Sequence, residues 1–146
     1  MKAIDYVKIE NPERFSGARL IEQTALENAL KEALIKIDKL YEDMGTDFPS
    51  HNSINNIYQP VKNDCGWNTG FWCGILWLAY EATKEPKYRV MAESLLESFY
   101  NRIDQKLKVD THDLGFIFIP SCVAAYKLAG NEMGKEAAIM AAENLC

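Results

Sequence analysis

The sequence is poor in histidine, in runs of positive charge and in long apolar stretches, and each shortage removes a class of function. Two histidines and four cysteines are present, and Cys65, Cys73, Cys122 and Cys146 stand 8, 49 and 24 residues apart. Those spacings match no zinc-binding pattern, so no metal site is expected. Sixteen Lys and Arg face twenty-one Asp and Glu, a net charge of −5, and they form no basic run. A nucleic-acid partner needs such a footprint, and none is expected. The longest apolar stretch, Leu114 to Ala129, is broken by Pro120, Ser121 and Lys127, too short and too polar for a bilayer span. Met1 to Phe15 has neither an apolar core nor a small-residue cleavage site, so it does not read as a signal peptide. An even cysteine count in an exported chain would suggest disulfides. Without an export signal, free thiols in a reducing cytosol are expected, and with them a cytoplasmic location.

What is present is helical. Hydrophobic residues make up 48% and charged residues 25% of 146, an ordinary globular composition at the length of one domain. From Ala18 to about Met44, apolar residues recur at Leu26, Leu30, Ala33, Ile37, Leu40 and Met44, one stripe of an amphipathic helix that Gly45 is placed to end. Thr46 to Gly66 has no sustained periodicity and reads as a long loop, a feature often tied to function. A second helix over Thr69–Lys84 is apolar nearly all round, from Phe71 through Trp72 and Trp77 to Ala79. Pro86 suits the first turn of a third, amphipathic helix that runs to about Lys106. A fourth, Gly115–Leu128, is again apolar on almost every side, with Pro120 set to kink it or move its start. A fifth begins at Glu132 and is rich in alanine.

Amphipathic and buried helices therefore alternate. The two buried ones open alike, with Gly70-Phe71 and Gly115-Phe116, 45 residues apart. Inner and outer helices paired as hairpins would give that order, and a ring of six such hairpins needs about 300 residues, roughly twice this length. The chain ends on AAENLC with no helix-stopping residue, which fits a domain continuing further. Periodicity alone favours the simpler arrangement, a compact five-helix bundle.

Two segments carry more information: DCGWNTGFWCGILWLAYEAT at Asp64–Thr83, with Tyr88 and Ala92 beyond it, and THDLGF at Thr111–Phe116. In order and separation they resemble the unsaturated glucuronyl hydrolases, bacterial enzymes with an (α/α)6 toroid that act on polysaccharide lyase products. The resemblance runs from about Asn63 to the C-terminus, and more loosely over the first helix. It implies an all-α fold of about five helices forming part of such a toroid. Residues 1–146 would then be a single domain, truncated to the N-terminal part of a glycoside hydrolase.

The implied chemistry is enol-ether hydration. An aspartic acid protonates C4 of a C4=C5 unsaturated uronic acid, water adds at C5, and the hemiketal collapses to release the next sugar. Of the two aspartates this needs, the resemblance places one at Asp113 and the other, the general acid/base, beyond Cys146. The chain by itself is thus expected to be an inactive fragment. The start of a buried helix favours a charged carboxylate at Asp113, suited to stabilising positive charge, although an Asp there can also be a plain cap. Trp67 is implied as a stacking surface for the sugar, with core packing as its other reading. His112 and Phe116 are implied to line the substrate site, whereas Trp72 and Trp77 are expected in the core and Asn68 is either a cap or a sugar contact. The implied partner is an unsaturated uronyl oligosaccharide derived from glycosaminoglycan or pectin, with no cofactor. Self-association is expected because a half-built ring leaves inner helices uncovered. Two other readings stay open: a helical-hairpin interaction module without catalysis, and an unsaturated rhamnogalacturonyl hydrolase.

Overall fold

The computed structural model describes residues 10–13, 21–62 and 66–145. The chain divides into two compact units, Met1–Ala33 and Leu34–Cys146. In the first unit, helix α1 (Gln23–Met44) begins where the Ala25 and Leu26 amides close on the Glu22 carbonyl at 2.9 and 3.3 Å. The expected start at Ala18 lies outside the described residues, and Ile21 and Glu22 are not helical. Gln23 Nε2 donates to Glu27 Oε1 one turn on, at 2.9 Å. Leu26 and Leu30, the first members of the expected stripe, are exposed.

In the second unit the same stripe reaches the core. Ile37 and Leu40 pack against it, and Met44 is buried. Asp38 on this face accepts from Lys87 Nζ at 2.8 Å. Gly45 ends α1 at φ 58°, a left-handed conformation open to glycine without a Cβ penalty. The segment that follows, expected as a long loop, contains a small hairpin. Strands β1 (Phe48–Pro49) and β2 (Pro60–Val61) pair antiparallel, Phe48 opposite Val61. At its tip Ile54 and Ile57 bridge across Asn55 and Asn56, both left-handed at φ 51° and 61°. Two consecutive left-handed residues are what a tight hairpin turn requires, and Asn tolerates them. The hairpin is anchored by Phe48, buried edge-on against Phe99 at 5.6 Å.

Helix α2 (Asn68–Thr83) buries Trp72, Cys73, Leu76, Trp77 and Ala79 and ends on left-handed Lys84. Trp72 and Trp77 are core, as expected. The expected third helix is two: α3 (Pro86–Glu93), with Pro86 in its first turn, and α4 (Leu96–Asp104). The interruption falls at Ser94, whose hydroxyl donates back to the Met91 carbonyl at 2.7 Å. Local side-chain bonding of this kind competes with the helix ladder. The expected fourth helix is present but contains a wide turn. It comprises α5 (Leu114–Phe118), a π-helical turn at Ile119–Val123 and α6 (Ala124–Ala129). Pro120 has no N–H to give to the preceding turn, and the extra residue of a π turn accommodates it. Buried Ser121 donates its hydroxyl to the Ile117 carbonyl there. Helix α7 (Glu132–Glu143) is capped by Asn131, whose side chain accepts from the Gly134 amide at 2.9 Å.

The helices thus run as five stretches, the all-α arrangement expected, with the hairpin as the only strands among the described residues. The inner pair, α2 and α5 with its π turn, is not covered on every side. Phe71, Ile75 and Leu78 form an exposed stripe on α2, and Phe116 and Ile119 are exposed on the neighbouring helix.

Candidate active site

Two glycines bring the ends of the inner helices together. A Cβ on Gly70 would run into the Phe116 and Ile117 carbonyls, with Ile117 Cα at 2.6 Å. A Cβ on Gly74 would lie 2.7 Å from Pro120 Cβ. The α2 backbone therefore lies directly on the α5 backbone, and the residues leading into each helix, Trp67 and Asp113, meet at one end of the pair.

There Trp67 stands edge-on to Phe71 at 5.6 Å and tilted against Phe116 at 6.4 Å, while Phe71 and Phe116 are 5.8 Å apart. Trp67 is 49% and Phe116 53% exposed. Three large aromatic side chains that touch one another yet stay open to solvent form a wall rather than a core. Beside it is a cleft of about 350 Å³ whose lining includes Trp67, Asp110, Thr111, Asp113, Arg102 and Lys108. Two carboxylates and two cations share that lining, so it is locally balanced although the whole chain is acidic.

Asp113 occupies the cap position of α5 without capping it: its side chain makes no bond to the first turn. Its main chain does the local work. The Asp113 carbonyl accepts from the Phe116 and Ile117 amides, and its N–H donates to Thr111 Oγ1 at 3.2 Å. The carboxylate, with a side chain 25% exposed, is left for the cleft, with His112 Nε2 3.4 Å from Oδ1. His112 itself is 94% exposed. Asn68 is no cap either. It is the first residue of α2, and its Nδ2 reaches the Pro49 carbonyl at 3.4 Å.

Of the residues singled out in the sequence, Trp67, Phe116, His112 and Asp113 are gathered at this one end. Phe71 and Arg102 were not singled out. Phe71 is an apolar residue in an apolar helix, and only the Gly-Phe pair it shares with Phe116 marks it. Arg102, on the otherwise amphipathic α4, is 5% exposed and spans the Gly66 and Lys108 carbonyls.

Outer helices packed on an inner pair, with a carboxylate and an aromatic wall at the inner pair's mouth, define a protein built of helical hairpins with a site at one end. The chain belongs to Glycosyl Hydrolase Family 88, whose sequence pattern matches residues 36–146. Over 145 residues it is 39% identical to the unsaturated chondroitin disaccharide hydrolase of Streptococcus agalactiae, covering 99% of this chain and 36% of that enzyme. Over 120 residues it is 35% identical to the unsaturated glucuronyl hydrolase of a Bacillus species, covering 82% of this chain and 31% of the relative. The crystal structure of unsaturated glucuronyl hydrolase from Streptococcus agalactiae superposes with a TM-score of 0.88 at 39% identity, over 95% of this chain and 35% of that one. An aspartate-to-asparagine variant of the same enzyme, complexed with dGlcA-GalNAc6S, matches with the same TM-score at 40% identity, over 95% and 37%. The chain spans about a third of the length of these relatives.

Proposed function

We propose that the chain forms the N-terminal part of a single (α/α)6 domain that releases C4=C5 unsaturated uronic acids from lyase-generated oligosaccharides. The observation that carries this reading is the Asp113 carboxylate, held at the cleft without a capping bond and beside the Trp67–Phe71–Phe116 wall. In the proposed reaction a proton is delivered to C4 and water adds at C5. Positive charge develops at the ring as the enol ether is protonated, and a fixed carboxylate stabilises it. Asp113 takes that role. Trp67 and Phe116 stack against the sugar ring, and His112 hydrogen-bonds to its polar edge. The donor of the C4 proton is a second aspartate outside residues 1–146, so the 146-residue polypeptide alone is expected to turn over no substrate at an enzyme's rate. Lacking a general acid typically costs about 100- to 10,000-fold.

The substrate class is an unsaturated uronyl oligosaccharide, and relatives named for chondroitin disaccharide and glucuronyl hydrolysis support the glycosaminoglycan-derived kind over the pectin-derived. The proposal also includes self-association through the exposed stripe on the inner helices. It includes a cytoplasmic location, which buried and unpaired Cys73 and Cys122 support. The ultraviolet absorbance of the uronyl double bond reports the reaction. Incubation of an unsaturated chondroitin disaccharide with the purified chain should leave that absorbance constant, and its rapid loss would overturn the assignment of the proton donor.

A further inference from the structure

Arg102 joins the two loops from which the site is built. Its side chain rises from α4, an outer helix, and is almost wholly buried. Nη1 donates to the Gly66 carbonyl at 3.3 Å, immediately before Trp67. Nη2 donates to the Lys108 carbonyl at 3.1 Å, on the loop that leads to His112 and Asp113. Both ends are made ready to receive it. The Gly66 carbonyl also accepts from Thr69 Oγ1 at 2.8 Å, which ties it to the first turn of α2. After α4 the chain turns through left-handed Lys106 and Lys108, at φ 52° and 49°. Side chains seldom adopt that conformation without support from their surroundings. Beyond Lys108 the loop is fastened again, where the Val109 carbonyl accepts from Asn144 Nδ2 at 3.1 Å.

A guanidinium is planar and rigid, and its two terminal nitrogens point in fixed directions. One that donates to two carbonyls therefore sets their separation. Here those carbonyls begin the segments that carry the aromatic wall and the carboxylate. We infer that Arg102 is a positioning residue of the sugar site, a strap whose fork holds the Trp67 segment and the Asp113 segment at the spacing a pyranose ring needs. The inference rests on the proposed reading of the cleft as a sugar site. The strap itself is measured without any sugar, so a failed hydrolysis assay and a failed strap are separate results.

The experiment is nuclear magnetic resonance on the 146-residue chain and two variants, Arg102→Lys and Arg102→Met. A lysine ammonium can reach one of the two carbonyls, and methionine neither. In both variants the Trp67 indole and His112 imidazole resonances should shift and broaden, while the Trp72 and Trp77 indole resonances stay where they are. A variant with a lowered melting temperature but unmoved Trp67 and His112 signals would reduce Arg102 to a stabilising residue and overturn the inference. Should neither variant fold, the unaltered chain decides. A strapped Arg102 shows distinct, slowly rotating Nη protons, and averaged signals like those of a solvated arginine contradict it.

Discussion

At the scale of single residues, the sequence motifs and the geometry agree on Trp67, His112, Asp113 and Phe116 as neighbours, because each belongs to a short string directly before or at the start of a helix. Such residues have little freedom to be elsewhere once the helices are placed. Phe71 and Arg102 were illegible for opposite reasons. An apolar residue reads the same whether it faces a core or a cleft, and an arginine on an amphipathic helix reads as a solvated charge. The terminal nitrogens of Arg102 are received by two backbone carbonyls, and carbonyls leave no trace in a sequence. The thiols are a residue-scale prediction of a different kind. Burial, and then the nearby Cys122, push the Cys73 thiol well above its ordinary value, with the Trp77 indole acting in the other direction. Burial pushes Cys122 up to about 12 from 9.0, opposed by the Ser121 hydroxyl. Both should therefore stay protonated and resist alkylation in the folded protein, and react on unfolding, as peptide mapping by mass spectrometry will report. The sign of the pH dependence follows. A group that keeps its proton only when folded contributes its full stability below the unfolded value, near 9, and loses it as pH climbs toward 12. Each pH unit in that window costs about 1.4 kcal/mol at Cys122, and Cys73 acts in the same direction, so the denaturation midpoint should fall steadily above pH 9.

At the scale of elements, periodicity located all five helical stretches, and Pro120 marked the interruption of the fourth, but the break in the third at Ser94 left no sign. The break at Ser94 and the π turn at Pro120 arise from one hydroxyl and one missing N–H, too local to disturb an apolar repeat. The hairpin between β1 and β2 was missed although its turn was written in Asn55-Asn56 between two isoleucines. Strands two residues long simply have no period to read. The repeated Gly-Phe pair gives the sharpest test at this scale, since its two glycines are not equivalent. At Gly70 an added Cβ meets the backbone of Phe116 and Ile117, whereas at Gly115 it meets only Ile119 Cδ1 at 3.8 Å. Backbone cannot move aside as a flexible side chain can. Gly70→Ala should therefore destabilise by about 3 kcal/mol or more. Gly115→Ala should be neutral or stabilising by up to about 1 kcal/mol, because alanine is the better helix former. Chemical denaturation of the two variants checks both, and equal losses would mean that the inner helices do not touch where the glycines place them.

At the scale of the whole molecule, the alternation of amphipathic and all-round apolar helices made the hairpin architecture legible. How far the second class of helix is covered depends on what lies beside it, which periodicity does not encode. Phe71, Ile75, Leu78, Phe116 and Ile119 remain exposed on the inner pair. They are 42–64% exposed, so each forfeits part of the roughly 1.5–3 kcal/mol that full burial gives, and together they make a patch that favours association. The purified 146-residue chain should sediment above 16.6 kDa at micromolar concentration. The double variant Ile75→Lys with Leu78→Lys should return it toward a monomer, and a clean monomer for the unaltered chain would refute the expectation. The central proposal is that Asp113 of this family 88 chain belongs to a sugar-hydrolysing site completed by residues outside positions 1–146. Joining residues 1–146 to the remaining two-thirds of the Streptococcus agalactiae relative and following the absorbance of an unsaturated chondroitin disaccharide tests it most directly. Turnover by the joined protein is expected, with a loss of about 100- to 1,000-fold in its Asp113→Asn variant; an Asp113→Asn variant that is folded and as active as its parent would contradict the role of Asp113.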